Sequence, residues 1–218
     1  MVLNGLVKIE LYNLNKCMKP KLEFTNWQKN IITGTVFGGS SLLKQKNAVN
    51  YQLHMAHQNS MWLKYKIQEL ADCFTLDTTK PIKECPIITK KNNKIVRVSK
   101  TFRCQSRALE ALTEMHDLLY DGDQRIVTAH TLYPLQDIGL AVWFLESGGR
   151  TGRDYRNLFL NSTRLGEKST DFVVTYFNEM GIECHKYTAP HRIRIIFSTD
   201  ASEKFLKIIA HRIPACML

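Results

Sequence analysis

Acidic residues are scarce in this sequence, and in two stretches they are almost missing. The 218 residues include 20 Asp and Glu against 30 Lys and Arg, which gives a formal net charge of +10. Residues 31–64 contain no acid, and Glu84 is the only one in residues 80–107. Such a charge favours a polyanionic partner, usually a nucleic acid, because Lys and Arg neutralise phosphates. A basic protein without such a partner is the alternative.

Long apolar runs and paired cysteines are also missing. No apolar stretch approaches the roughly 20 residues of a membrane-spanning helix, and no signal-peptide core is visible, so we expect no membrane partner. The six cysteines are widely spaced without a C-x-x-C pair, which argues against a zinc site or a disulfide framework. We therefore expect an intracellular, reducing compartment and inert thiols. The first twenty residues are mildly basic but include Glu10, which leaves a mitochondrial presequence open.

Periodicity predicts a helix, a strand and a basic hairpin in the first half of the chain. Thr25 with Gln28 three residues later is a capping-box pattern, which predicts a helix start. Residues 51–57, YQLHMAH, alternate apolar and polar side chains and predict a strand with one buried face. Residues 80–107 contain two β-rich runs around the polar turn KKNNK and predict a basic hairpin. Helical spacing is found in residues 60–74 and again from residue 108 to Gly122.

The second half repeats this order. A helix is predicted in IGLAVWFLESGG, followed by a strand at 158–162, a helix at 169–180, a strand in HRIRIIFS and a last helix in ASEKFLKIIAHRI. We place the halves at residues 20–125 and 126–218. No segment between them has a more linker-like composition than residues 121–134. The two halves are therefore expected to pack together.

Two segments at corresponding places carry a resemblance to a known family. ITGTVFGGS (residues 32–40), followed by Ser41 and Leu42, is similar to the GLLLGDGSL form of the LAGLIDADG motif, and LAVWFLESG (residues 140–148) is similar to LAVWFMDDG. The segments FRCQSRALEALTEMHDLLYDGDQRIV and NLFLNSTRLGEKSTDFVVTYFNEMGIECHKY resemble the family's sequence on either side of the second motif. Over residues 25–217 the chain resembles a single-chain, two-motif LAGLIDADG homing endonuclease.

The resemblance implies an α+β fold with two pseudo-symmetric LAGLIDADG half-domains. The motif helices would pack together at the centre, and antiparallel, saddle-shaped β-sheets would cover the nucleic acid. Gly34, Gly38, Gly139 and Ala141 are small enough for such close helix packing.

Within this fold the strand YQLHMAH would bury one row of side chains and present the other to the groove. Tyr51, Leu53 and Met55 are expected inside, and Gln52 and His54 in the groove. A solvated outer face is the alternative for the polar row. Trp27, Trp62 and Trp143 lie on apolar helical faces and are expected in the core.

The resemblance also implies where catalysis would occur. In active members an acid at the base of each motif helix holds a divalent metal, and carboxylates suit magnesium because they supply both a hard oxygen ligand and charge. The corresponding residues here are Gly39 and Ser147, and neither carries a carboxylate. Glu146 is the candidate to replace the missing carboxylate of the second motif. One step along a helix turns a side chain by roughly 100°, however, so Glu146 should point away from the metal position. We expect no catalytic residue, no metal and no cofactor; Mg²⁺ would be required only by an active endonuclease.

Nucleic-acid binding is expected from the basic hairpin, the segments after both motifs and the HRIRI strand. Phosphate contact requires Lys or Arg, and base readout uses Arg, Gln or Asn on an element in a groove. The alternative for each residue is a solvated charge. The candidates are Lys44, Lys46, Gln52, His54, Lys83, Lys90, Lys91, Lys94, Arg97, Lys100, Arg103, Arg150, Arg153, Arg156, Arg192 and Arg194.

Three hypotheses follow. The first is a catalytically inactive LAGLIDADG-fold protein that binds structured RNA, as a maturase-like splicing cofactor or in an organellar ribonucleoprotein such as the mitochondrial ribosome. The second is an active site-specific DNA endonuclease that uses a divalent metal. The third is a structural subunit that uses the scaffold for protein contacts. We expect a monomer located in a mitochondrion or another organelle, with RNA favoured over DNA.

Overall fold

The order of helices and strands repeats once along the chain. The computed structural model describes residues 22–74, 82–91 and 94–217, and in residues 88–91 and 94–98 it describes the backbone alone. The helices are α1 Asn26–Gly38, α2 Ser60–Glu69, α3 Glu110–Leu119, α4 Ala129–Leu132, α5 Asp137–Ser147, α6 Gly166–Glu179 and α7 Thr199–Ile209. The strands are β1 Ser41–Lys44, β2 Tyr51–His57, β3 Lys83–Lys91, β4 Lys94–Gln105, β5 Tyr120–Asp121, β6 Gln124–Arg125, β7 Gly148–Thr151, β8 Asn157–Asn161, β9 Cys184–Ala189 and β10 Arg192–Phe197.

Two four-stranded antiparallel sheets have equivalent topologies. The first sheet has the order β1-β2-β4-β3, and the second has the order β7-β8-β10-β9. Each begins directly after one of the two motif helices, α1 or α5. The predicted α+β class with paired antiparallel sheets is confirmed.

The first motif helix begins at the predicted capping box. The Thr25 hydroxyl accepts from the Gln28 amide at 3.2 Å, and the Gln28 side chain accepts from the Thr25 amide at 3.1 Å. These two bonds satisfy donors that a helix start otherwise leaves unpaired. The helix ends at Gly38, and Gly39 follows with φ +133°, a backbone conformation that favours glycine.

The two motif helices meet at the centre through residues with little or no side chain. A Cβ added at Gly34 would lie 2.3 Å from the carbonyl oxygen of Gly139, and one added at Gly38 would lie 2.2 Å from Cβ of Glu146. The Asn30 side chain also accepts a 2.5 Å hydrogen bond from the amide of Gln136, directly before α5. The close packing expected from the glycines is therefore confirmed.

The sheets divide into a core face and an open face. On β2, Leu53 and Met55 are fully buried and Tyr51 is half-buried. Gln52 and His54 lie on the opposite face, because successive residues of a strand alternate sides. The predicted burial of one face of this strand is confirmed, and the contact of Gln52 and His54 with nucleic acid stays a prediction.

The tryptophans belong to the helical core as expected. Trp62 and Trp143 are fully buried. Trp27 is half-buried; its indole donates to Glu69 at 2.6 Å, and Arg212 lies over its ring.

The connection between the halves differs from the prediction. The helix in this region ends at Leu119, and a short hairpin of β5 and β6 follows, with Gly122 in its turn at φ +59°. Tyr120 pairs with Arg125 across this hairpin, so the chain reverses before it enters the second half.

The free thiols are mostly buried. Burial raises the pKa of Cys73 and of Cys184 to about 12 and that of Cys104 to about 11, so these thiols stay protonated and unreactive near neutral pH. Among the described helices, none has the length and apolar character needed to cross a bilayer.

Candidate nucleic-acid interface

A cleft of about 1170 Å³ opens where the C-terminal ends of α1 and α5 meet the two sheets. Its lining includes four cations, namely Lys83, Arg103, Arg164 and Arg192. Among the described lining residues Glu146 is the only acid. The cleft is therefore electropositive, and both halves contribute to that charge.

Glu146 is held by the first half of the chain. Its carboxylate accepts from the Trp62 indole at 2.7 Å and forms an ion pair with Lys66. The Lys66 side chain is fully buried, and the Glu146 side chain is only 3% exposed. Its Oε1 therefore already serves a buried cation, and the ion pair holds the carboxylate toward the first half of the chain.

Gly39, the residue that the resemblance assigns to the first motif-acid position, offers no side chain. Its carbonyl oxygen accepts from Arg125 Nη2 at 3.2 Å and also from Arg164 Nη1. Two guanidinium groups thus lie where the resemblance places a metal-binding carboxylate. A divalent cation would be repelled there.

Arg125 reaches this point from the connection between the halves. The β5–β6 hairpin directs it under the cleft, where its Nε donates to the Tyr120 hydroxyl at 3.3 Å and its Nη2 donates to Ser41 Oγ at 2.8 Å. The residue is buried, and its Nη1 has no hydrogen-bond partner among the described groups. A buried cation whose partners are neutral oxygens adds positive potential to the cleft floor.

Ser147, the residue that the resemblance assigns to the second motif-acid position, is the last residue of α5. Its hydroxyl is buried and has no hydrogen-bond partner among the described atoms. The described residues include no cluster of three or more His, Cys, Asp or Glu suited to a metal ion. The residues at both positions therefore do not fit the divalent metal that the resemblance implies.

Part of the predicted set does lie together on the open face of the first sheet. His54 is opposite Gln105, and Lys83 is opposite Arg103, so their side chains share one face. Gln105 donates to Gln52 at 2.5 Å on the same face. Burial lowers the pKa of His54, so this imidazole is neutral near neutral pH.

Arg192 and Arg194 lie on the corresponding face of the second sheet. Arg192 lines the cleft, and the Arg194 guanidinium lies 3.8 Å from the ring centroid of Phe159. Desolvation and the neighbouring Arg192 lower the pKa of Arg194, although it stays charged. Arg153 and Arg156 lie in the exposed turn between β7 and β8.

Three predicted residues lie on the opposite face of the sheets, which the helices cover. Lys44 is opposite Tyr51, and Arg150 is opposite the fully buried Leu158. Lys100 lies on the face of β4 opposite to that of Arg103 and Lys83, where it forms an ion pair with Glu84 at 2.7 Å. The cleft does not include any of the three.

The remaining candidates are placed only in part. Lys46 lies in the exposed loop after β1. Lys90, Lys91, Lys94 and Arg97 belong to β3 and β4 where only the backbone is described, so their side chains lie outside the described part of the chain.

Two cations at the Gly39 carbonyl, namely Arg164 of the cleft lining and the buried Arg125, are absent from the predicted set. Arg125 is the only Lys or Arg in residues 121–134, which is the signal that could have singled it out. Arg164 follows β8 in a 3₁₀ turn, and its carbonyl accepts from the Gln124 side chain at 3.1 Å. Its sequence neighbourhood carries no comparable signal.

A family model identifies the class of protein to which this fold and cleft belong. The model described as the LAGLIDADG DNA endonuclease family matches residues 29–205. This range covers most of the chain and both motif helices, so the chain belongs to the LAGLIDADG family. No curated protein sequence matches the chain.

Solved structures show the same fold at low sequence identity. The homing endonuclease I-WcaI bound to its DNA recognition sequence is 14% identical, with a TM-score of 0.75 over 94% of this chain and 89% of that one. A structure of mesophilic variants of the homing endonuclease I-DmoI is 12% identical, with a TM-score of 0.50 over 85% of this chain and 96% of that one. At these identities the comparison establishes the fold alone.

Proposed function

We propose that this protein binds nucleic acid in its basic cleft without cleaving it, and that its ligand is a structured RNA. It would act as a maturase-like splicing cofactor or as a component of an organellar ribonucleoprotein, for example the mitochondrial ribosome. The family's DNA-binding relatives support a nucleic-acid ligand, and the cleft supports the loss of cleavage.

The observation that carries the proposal is the chemistry of the cleft floor. Gly39 and Ser147 provide no carboxylate, and Glu146 is committed to Lys66. Arg125 and Arg164 instead bring positive charge to the first motif position. Phosphodiesters are attracted to such a site, whereas metal-dependent hydrolysis lacks its ligands.

The preference for RNA is supported by what the chain has kept and lost. The scaffold, the paired sheets and the positive charge remain, although the groups for DNA cleavage do not. A protein without cleavage has no need of the duplex DNA that homing requires, and organellar RNA is the alternative polyanion. On this proposal the protein works in a mitochondrion or another organelle.

The binding face is tested with two variants of the same strand. Arg103→Gln removes a cation from the cleft, whereas Lys100→Gln removes one from the opposite face, where Lys100 pairs with Glu84. Filter binding with a folded intron or ribosomal RNA and with duplex DNA measures both. We expect tighter binding to RNA, weakened by Arg103→Gln and unchanged by Lys100→Gln. Failure of the wild-type protein to bind any RNA at moderate salt refutes the proposal.

An active DNA endonuclease is the second candidate, and the family match favours it. Incubation of the purified protein with Mg²⁺ or Mn²⁺ and a pooled library of duplex targets separates the two. Any sequence-specific double-strand break establishes the endonuclease. A purely structural subunit would instead co-purify with protein partners after nuclease treatment and at high salt.

A further inference from the structure

The open face of the second sheet carries a group of stacked side chains that phosphate binding does not require. Phe159 of β8 and Arg194 of β10 lie in contact, with the guanidinium carbon 3.8 Å from the ring centroid. Tyr187 of β9 is directly opposite Arg194 and therefore shares this face. Together they form a stacking cluster of Phe159, Arg194 and Tyr187.

The backbone supports this cluster from the edge strand. Gly149 is directly opposite Phe159 on β7, and a Cβ added at Gly149 would lie 2.9 Å from two atoms of the Phe159 ring. The ring therefore occupies the space above a residue without a side chain. This packing fixes the ring and, through it, the plane of the guanidinium.

The outer members of the cluster are open to solvent. Tyr187 is 46% exposed, so a flat ligand can reach its ring. Arg194 is half-buried, and its Nε has no hydrogen-bond partner among the described groups. A guanidinium group and a phenol ring are both side-chain surfaces on which nucleobases stack, and here they share one face.

The first sheet provides a contrast. Among the residues of its open face whose side chains are described, the central pair is Gln52 and Gln105, and no Phe, Tyr or Trp occurs there. Amides read the edges of paired bases, whereas stacking requires an exposed base face. The two halves are therefore suited to different parts of a nucleic acid.

We infer that the stacking cluster holds an unpaired nucleobase of the bound nucleic acid, stacked on Tyr187 and Arg194. The inference rests on the proposed function and adds the class of ligand, namely an RNA with a single-stranded loop or bulge next to a paired segment. The paired segment follows the cleft, and the unpaired base leaves the helix to reach the second sheet.

The test uses the full chain and a short single-stranded RNA with one central 2-aminopurine, whose fluorescence falls on stacking. Tyr187→Leu removes the ring, Tyr187→Phe keeps it, and Arg194→Lys keeps the charge but loses the planar surface. The matched control is Tyr133→Leu, a 59% exposed tyrosine that packs against Phe172 and Tyr176. Thermal unfolding followed by circular dichroism establishes that each variant is folded.

We expect wild-type protein and Tyr187→Phe to quench the fluorescence equally, and Tyr133→Leu to match them. Tyr187→Leu should lose most of the quenching and bind about 5- to 100-fold more weakly. Arg194→Lys should lose quenching while its salt dependence stays that of wild type, because the charge remains.

Unchanged quenching and affinity in a folded Tyr187→Leu variant overturn the inference alone, because the wild-type protein still binds RNA. Binding of a duplex RNA but of no single-stranded or looped RNA has the same consequence. If the wild-type protein binds neither folded nor single-stranded RNA, the proposed function fails as well.

Discussion

Gly39 combines a backbone conformation that favours glycine with an environment that favours anions. Its φ of +133° penalises any side chain, yet a Cβ there would meet no atom within 4 Å. Its carbonyl is bound by Arg125 and Arg164. For an aspartate at this position, the backbone strain would therefore be destabilising, whereas the attraction of the two guanidinium groups would be stabilising.

Gly39→Ala and Gly39→Asp separate these two effects. We expect Gly39→Ala to lower the free energy of unfolding by about 1–3 kcal/mol, because the strain at this φ outweighs the smaller entropy loss of alanine on folding. Gly39→Asp carries the same strain but gains attraction from the two guanidiniums, so its loss should be smaller. Urea denaturation of both variants measures the difference. An aspartate variant less stable than the alanine variant would contradict this account of the charge around Gly39.

The Lys66–Glu146 pair joins the two halves at the level of a single contact. Both side chains are almost completely removed from solvent, and Trp62 donates to the same carboxylate. Removal of one partner leaves an uncompensated buried charge, which costs more than the loss of the pair itself.

Lys66→Met should therefore destabilise the protein by about 3–5 kcal/mol in chemical denaturation. The double variant Lys66→Met/Glu146→Gln removes both charges and should recover a large part of that loss. Equal destabilisation in the single and double variants would show that packing, and not charge, dominates at this position.

At the scale of the elements, sequence pattern predicted those with strong periodicity or a cap. The capping box at Thr25, the alternation in β2 and the apolar helix α5 all came from short-range rules. β7 has the sequence GGRT, and glycine-rich strands carry no alternation, so it was not predicted. The β5–β6 hairpin carries no separate signal, because helical spacing in the sequence continues to Gly122, whereas the helix ends at Leu119.

The packing of α1 on α5 leads to a prediction about Gly34. A methyl group there would lie 2.3 Å from a backbone oxygen of Gly139, which no rotamer change can relieve. Gly34→Ala should cost at least about 1–3 kcal/mol despite the better helix propensity of alanine. Thermal and urea unfolding measure the effect, with exposed Lys29→Ala of the same helix as the control, expected within about 0.5 kcal/mol of wild type. A Gly34→Ala variant as stable as wild type would contradict the close helix approach.

For the whole molecule, the sequence predicted the charge of the interface better than its geometry. Lys100 and Arg103 are three residues apart in β4 and equal in charge, yet strand register puts them on opposite faces. Alternation along the strand separates the two side chains, but which of them faces the cleft depends on the tertiary fold, which a pattern of single residues does not contain. Arg125 and Arg164 meet at the Gly39 carbonyl only through the tertiary fold, because they lie 86 and 125 residues after Gly39 in the sequence.

The assembled cleft predicts binding that depends on salt and is independent of divalent metal. Since Arg125 and Arg164 bind the Gly39 carbonyl, and Glu146, the one acid among the described lining residues, is paired with Lys66, EDTA should leave the affinity for RNA unchanged. Affinity should fall steeply with salt, because bound Lys and Arg release counterions from the phosphates. Arg192→Gln should reduce the slope of log K against log salt by about 0.7–0.9, whereas Lys44→Gln on the helix-covered face should not change it. Titrations with a short RNA hairpin that folds without Mg²⁺, at several salt concentrations and with EDTA or Mg²⁺, measure both effects. A requirement for Mg²⁺ with this RNA would contradict metal-independent binding and would favour the endonuclease alternative.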